Sequence, residues 1–159
     1  MSPIENLSSR AGSKPSGLTG RLSVGPQALF VYGSLTFPEV LRAVIGRVPT
    51  LEPAVVTGWR RVALSGRPYP ALIPGDGEVK GYRIPDLRAE EWRAVDAFED
   101  PVYAFTRLDL DAGRTGWAYT CEASEEGTSE WDIGHFHAEL LTDYLTRCAN
   151  WRTRYDGRL

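Results

Sequence analysis

Ala28-Leu29-Phe30-Val31-Tyr32-Gly33-Ser34-Leu35 opens with five apolar residues, β-formers among them, and stops at a glycine. A short apolar run bounded by Gly reads as a buried strand. Order is expected to begin here. Upstream, residues 1–26 are rich in Ser, Gly and Pro and lack periodicity. They are expected to be a flexible tail ahead of a single domain over 27–159.

Downstream, Pro38-Glu39-Val40-Leu41-Arg42-Ala43-Val44-Ile45-Gly46 keeps helical spacing and ends on a capping glycine. Residues 53–64 contain two β-like runs divided at Gly58. Residues 69–74 read as extended, Gly75-Asp76-Gly77 as a turn, and residues 78–84 as a strand. A helix is expected from Pro85-Asp86, with Asp86 as cap, through Glu99; Pro101 disfavours helical geometry at Asp100. Strands follow over 105–110 and 115–121, then a polar loop over 122–129. In the last helix Ile133, Phe136, His137, Leu140, Leu141, Tyr144, Leu145 and Cys148 mark one face. Strands come first and helices are inserted, so the expected class is α+β.

With 159 residues, 42% of them hydrophobic and 25% charged, the chain can bury its own core. A net charge of −3 and a pI near 5.4 give no basic field, which argues against a nucleic-acid partner. No stretch approaches the roughly 18 apolar residues of a membrane span, and no secretory leader is visible. Cys121 and Cys148 make no disulfide framework. A cytoplasmic protein without membrane association is expected.

Three features carry chemistry. A strand that ends at Gly33 exposes backbone N–H groups that can grip an anion such as a carboxylate; alternatively Gly33 only serves a turn and Ser34 only a cap. On a helical wheel Glu99 shares a face with Trp92 and Val95. Burial and the negative end of the helix dipole would both raise its pKa and make it a better base. The alternative is a helix-end Glu paired with an arginine such as Arg107. The third feature is a set of tyrosines at strand ends and in loops, Tyr32, Tyr69, Tyr82, Tyr103 and Tyr119, whose hydroxyls could line a polar pocket. His135 and His137 point about 200° apart on a helix, a poor metal pair. Ser34 is not in a G-x-S-x-G frame, the 75–77 turn is not a phosphate loop, and Cys121 reads as a small buried hydrophobe.

Taken in order, Phe30-Val31-Tyr32-Gly33-Ser34-Leu35, Val56-Thr57-Gly58-Trp59-Arg60-Arg61, Tyr69-Pro70-Ala71, Val79-Lys80-Gly81-Tyr82, Val95-Asp96-Ala97-Phe98-Glu99-Asp100, Trp117-Ala118-Tyr119 and Trp131 resemble the γ-glutamylcyclotransferase superfamily, in its AIG2-like branch. The resemblance implies a small mixed β-barrel with flanking helices and a pocket at one barrel mouth. It implies that Tyr32, Gly33, Ser34 and Leu35 bind the amino-acid end of a γ-glutamyl group, and that Glu99 is the catalytic base. Tyr103 and Tyr119 are added as candidate substrate contacts. The branch commonly carries Tyr-x-Arg after the glutamate; here three residues separate Tyr103 from Arg107, so either two residues are inserted or Phe105 takes the Tyr position. The implied reaction closes 5-oxoproline from a γ-glutamyl amide and releases an amine, with no cofactor and no metal. The expected partner is a small-molecule γ-glutamyl substrate, and the expected state a monomer or weak homodimer. A γ-glutamyl amide hydrolase, or a non-catalytic binding module on the same scaffold, is the alternative.

Overall fold

In the computed structural model, which describes residues 18–122 and 129–159, β1 is the run Leu29–Val31. Alternation along it sorts the whole core. Leu29 and Val31 join the cluster under the helices, while Phe30 and Tyr32 join a second cluster with Val56, Leu72, Leu108 and Ala118. The remaining strands are β2 (Glu52–Ala63), β3 (Pro70–Ile84), β4 (Ala104–Asp109) and β5 (Thr115–Thr120). They form one mixed sheet in the order β2-β3-β1-β5-β4. β1 pairs antiparallel with β3 (Leu29↔Ile84, Val31↔Tyr82) and parallel with β5 (Leu29↔Trp117). The expected barrel is not closed by a ladder. Its edges meet at an isolated antiparallel bridge, Val56↔Leu110. The α+β class stands.

The two runs expected around Gly58 are one strand. Its register breaks between Thr57 and Trp59, where Gly58 takes φ 91°, a conformation that suits glycine. The break absorbs the Gly75-Asp76-Gly77 segment on the partner. Expected as a turn, that segment is an irregularity inside the continuous 15-residue β3, because pairing resumes on both sides: Trp59↔Pro74 and Thr57↔Glu78.

Helix α1 (Pro38–Ile45) has Pro at its start and left-handed Gly46 after its end, as expected. Helix α2 (Ala89–Phe98) starts later than expected. Asp86 does not cap it; its carboxylate accepts from the backbone and hydroxyl of Thr50. The Glu91 carboxylate reaches back to the Arg88 N–H at 2.9 Å instead. The C-terminal helix is α3 (Ile133–His135), a π segment (Phe136–Leu140) and α4 (Leu141–Gly157). The π segment changes the expected face. It puts one extra residue in the turn, so Phe136, Leu141, Tyr144 and Cys148 are buried while Ile133 and His137 are exposed.

The expected tail is also corrected. Residues 18–26 pack on the domain, with a 3₁₀ turn at Gly20–Val24 and Leu22 only 2% exposed. One buried apolar side chain and one arginine outweigh the loop-like composition around them. Residues 1–17 of that tail, and residues 123–128 of the expected polar loop, lie outside the described residues. Among the described residues no helix is long and apolar enough to cross a membrane.

Candidate active site

At the end of β1 the chain passes Tyr32 and Gly33 into a 3₁₀ turn, Ser34–Thr36. The N–H and hydroxyl of Thr36 both donate to the Gly33 carbonyl, at 3.0 and 2.6 Å. The Ser34 and Leu35 N–H groups stand in the first turn, where no intrahelical acceptor exists. Gly33 is required by space rather than by φ. A Cβ there would lie 2.6 Å from Pro70 Cγ. Arg61 holds the loop from behind: its guanidinium donates to the Tyr32 carbonyl at 3.0 Å and stacks over Trp131 at 5.3 Å.

A cavity of about 30 Å³ opens against this loop. That is on the scale of two water molecules. Tyr32, Gly33, Ser34 and Leu35 line it together with Glu99, Tyr103 and Tyr119. The expected base and the six expected substrate contacts therefore line one cavity. Tyr69 and Pro70 complete the mouth, while Tyr82 lies elsewhere, on a separate groove.

The tyrosine hydroxyls are already committed as donors. Tyr32 donates to the Tyr119 carbonyl at 2.5 Å, Tyr103 to the Pro70 carbonyl at 2.5 Å, and Tyr119 to the Asp96 carboxylate at 2.8 Å. Burial pushes all three phenols well above their ordinary value, so they stay protonated. A hydroxyl that donates to the protein keeps its lone pairs as acceptors. Such a wall suits a ligand that brings N–H donors, such as an ammonium.

Glu99 is not in the last turn of α2 but caps it, in extended conformation (φ −70°, ψ 141°). The residue is half-buried, yet its carboxyl is desolvated. Burial raises its pKa from the ordinary 4.5 to about 8; Arg21 opposes the shift, and Asp100 and Asp96 add to it. Arg21 also lies at the carbonyl end of α2. Its guanidinium donates to the carbonyls of Asp96, Asp100 and Tyr103 at 3.0–3.1 Å and to that of Glu99 at 3.4 Å. Among the described residues no ion pair reaches the Glu99 carboxyl. Arg107, the alternative partner, is exposed on β4 opposite Trp117. Asp100, one residue on, goes the other way. Burial favours its acid form, but hydrogen bonds from the Val102 N–H, Tyr69 and Arg67 hold the carboxylate below its ordinary range.

Arg21 and Asp96 are the structural partners that the sequence did not offer. Arg21 sits in a stretch whose composition reads as tail, and Asp96 is one acid among several on α2. No signal short of the fold marks either. Phe105 stacks on Trp117 and packs tilted against Tyr119; of the two candidates for the Tyr position, Tyr103 lines the cavity and Phe105 does not. No group of three or more His, Cys, Asp or Glu is placed to hold a metal among the described residues.

Residues 29–138 match the family described as gamma-glutamyl cyclotransferase, AIG2-like. The chain is 43% identical over 126 residues to AIG2-like protein C of Arabidopsis thaliana, an alignment spanning 74% of this chain and 73% of that protein. A solution structure of another Arabidopsis thaliana protein superposes with a TM-score of 0.60 at 25% identity, covering 84% of this chain and 88% of the other. A structure described as gamma-glutamyl cyclotransferase superposes with a TM-score of 0.51 at 13% identity, over 77% of this chain and 86% of that one. At that identity the likeness concerns the fold alone.

Proposed function

Because this chain belongs to the AIG2-like γ-glutamyl cyclotransferase family, we propose that it converts a γ-glutamyl amide into 5-oxoproline and a free amine, with Glu99 as general base and then general acid. The observation that carries the reading is the unpaired, desolvated Glu99 carboxyl opening on the same cavity as the Tyr32–Leu35 loop. A buried carboxyl without a partner is costly to the fold, and such groups concentrate at sites of proton transfer.

The chemistry follows from the groups. The substrate α-carboxylate lies against the free N–H groups of Ser34 and Leu35. The α-ammonium donates to the tyrosine hydroxyl oxygens and to Glu99. A carboxyl that burial raises from 4.5 to about 8 is a far stronger base than an ordinary carboxylate, which lowers the cost of taking a proton from the α-ammonium. The freed amine attacks the γ-carbonyl carbon. A C–N bond forms, and the carbonyl pair moves to oxygen. Glu99 gives its proton to the leaving nitrogen and takes the surplus proton from the ring nitrogen; when the pair returns, the C–N bond to the leaving amine breaks, and that second proton departs with the amine as its ammonium, which restores the Glu99 carboxylate. No protein nucleophile is needed, since the substrate supplies its own. The protein holds a folded conformer in which attack is favoured.

The test is incubation of the purified chain with a panel of γ-glutamyl amides in ¹⁸O water, with mass detection of products. Unlabelled 5-oxoproline supports cyclisation. Glutamate carrying solvent oxygen would replace it with hydrolysis, and an unchanged panel would leave a binding module.

A further inference from the structure

We infer that the cavity between α2 and α4 is the leaving-group subsite, and that it selects amines carrying a carboxylate, such as amino acids or peptides, over neutral or cationic amines. The inference rests on the cyclotransferase reading and adds the substrate class. A second cavity, of about 140 Å³, shares Glu99 and Tyr69 with the first. One carboxyl that takes a proton from the α-ammonium and gives it to the leaving amine must face both. Glu99 is the common wall. The first cavity holds little more than the amino-acid head, so the rest of a substrate must extend beyond it.

The wall that α4 gives this second cavity is cationic and aromatic; the acidic residues Glu99 and Asp100 also line the cavity. Tyr144, Arg147, Trp151 and Arg154 of α4 line it at steps of three, four and three, one face of the helix. Phe98 packs on Trp151 at 5.1 Å and supplies an apolar floor. The guanidinium of Arg147 lies 5.5 Å from the Tyr69 ring and 5.7 Å from the Tyr144 ring, which positions it without neutralising it. Among the described residues neither Arg147 nor Arg154 has an ion pair. The acid at the rim, Asp100, is already taken by Arg67 at 2.7 Å and Tyr69 at 2.8 Å. Two guanidinium groups without a carboxylate of their own, beside a narrow apolar wall, favour a carboxylate and repel an ammonium. The π segment before α4 sets this face: without its extra residue the helix would enter α4 about 100° out of phase.

The larger groove of about 600 Å³, near Phe37, Lys80 and Tyr82, is a poorer candidate. It shares no lining residue with the first cavity and does not include Glu99, so a leaving amine there could not receive the proton.

The test compares three amides that differ only in the leaving group: γ-glutamyl-alanine, γ-glutamyl-ethylamide, which lacks only its carboxylate, and γ-glutamyl-ethylenediamine, which carries an ammonium. The kcat/KM ratio of the first to the second should be about 10 or more in the native chain, and should collapse, through KM, in Arg154→Ala and in Arg147→Ala/Arg154→Ala. Arg154→Glu should move preference toward the ethylenediamine amide. Arg154 is exposed on a surface helix, so its variants should fold. A native ratio near one, or a ratio that survives both variants, overturns the inference while 5-oxoproline formation still stands. If no amide is turned over, the reaction itself fails, and the subsite is judged by calorimetric binding of N-acetylalanine against N-ethylacetamide. Binding of the first alone, lost in the double variant, supports it; equal or absent binding overturns it.

Discussion

Arg21 pairs with the Asp96 carboxylate at 3.0 Å while its remaining N–H groups close the carbonyl end of the helix that delivers Glu99. The same guanidinium lies 4.9 Å from the Tyr119 ring. A single residue thus fastens the N-terminal segment to three residues that line the cavity, Glu99, Tyr103 and Tyr119, and sets part of the field at Glu99.

Removing it should therefore do two separable things. Arg21→Ala leaves several carbonyls and the Asp96 carboxylate short of a donor, and the part-buried site limits the loss to about 2 kcal/mol. It also removes the one attraction that lowers the Glu99 pKa. The acid limb of kcat/KM should move to higher pH, alongside a lower Tm. A drop in Tm with an unmoved pH profile would show that Arg21 is a fastening alone.

Glu99→Gln should lower kcat by at least about 100-fold, the scale of lost general acid–base catalysis. In the native chain kcat/KM should rise with pH through an apparent pKa near 8 as the base ionises. Stability should move the opposite way. A carboxyl whose folded pKa is raised from 4.5 to about 8 contributes fully below 4.5, and that contribution is lost as pH climbs toward 8. The Gln variant lacks this penalty. It should melt higher than the native chain at pH 8 and near it at pH 5. The gap should be a few kcal/mol, since each tenfold change in a proton-binding constant is worth about 1.4 kcal/mol. Calorimetric scans at the two values read it. A native-like rate in Glu99→Gln would remove the base assignment.

Gly33→Ala tests the loop. Its Cβ would lie 2.6 and 2.7 Å from the Pro70 ring, so the loop or the start of β3 must shift. Overpacking of this kind costs about 1–3 kcal/mol. The shift falls at the cavity mouth, so KM should rise more than Tm falls. Ser34→Ala is the milder companion. It removes the 3.2 Å contact to the Tyr144 hydroxyl and leaves the backbone N–H groups in place, so substrate affinity should change little. A large KM effect there would transfer recognition from the backbone to the hydroxyl.

Much of the fold and the site is legible in the sequence because it is local. The β1 run, the α1 spacing with Gly46, and the ordered motifs from Leu29 to Trp131 each carry their signal within a few residues. What is not legible depends on long-range partners. Gly75-Asp76-Gly77 has turn composition, but its strand is continued by pairing with β2 across the break at Gly58. The face of the last helix shifts because a π segment has no compositional mark. Arg21 acquires its role from carbonyls some 75–82 residues away in the chain. Glu99 is marked by its place beside apolar neighbours, and burial, the first of the causes expected to raise its pKa, is the largest.

Helix α2 also carries a second buried carboxylate, and the two should behave as opposites. The Glu91 side chain is 5% exposed and takes a two-point contact from Arg47, at 2.6 and 2.7 Å, besides the Arg88 N–H. Burial alone would raise its pKa, but hydrogen bonds from Arg47 and Arg88 outweigh it and hold the carboxylate below its ordinary value. A depressed folded pKa contributes stability above about 4.5 that is lost as pH falls. Glu91→Ala leaves Arg47 facing an uncompensated site and should cost about 3–5 kcal/mol, roughly 10 °C in Tm for a domain of this size. The native-minus-variant Tm difference should shrink toward acid for Glu91→Gln and grow toward alkali, with reversed sign, for Glu99→Gln. Activity of folded Glu91→Gln should keep the native pH profile, since Glu91 lines neither cavity. Parallel slopes for the two variants would mean that one helix does not hold one structural and one functional carboxylate.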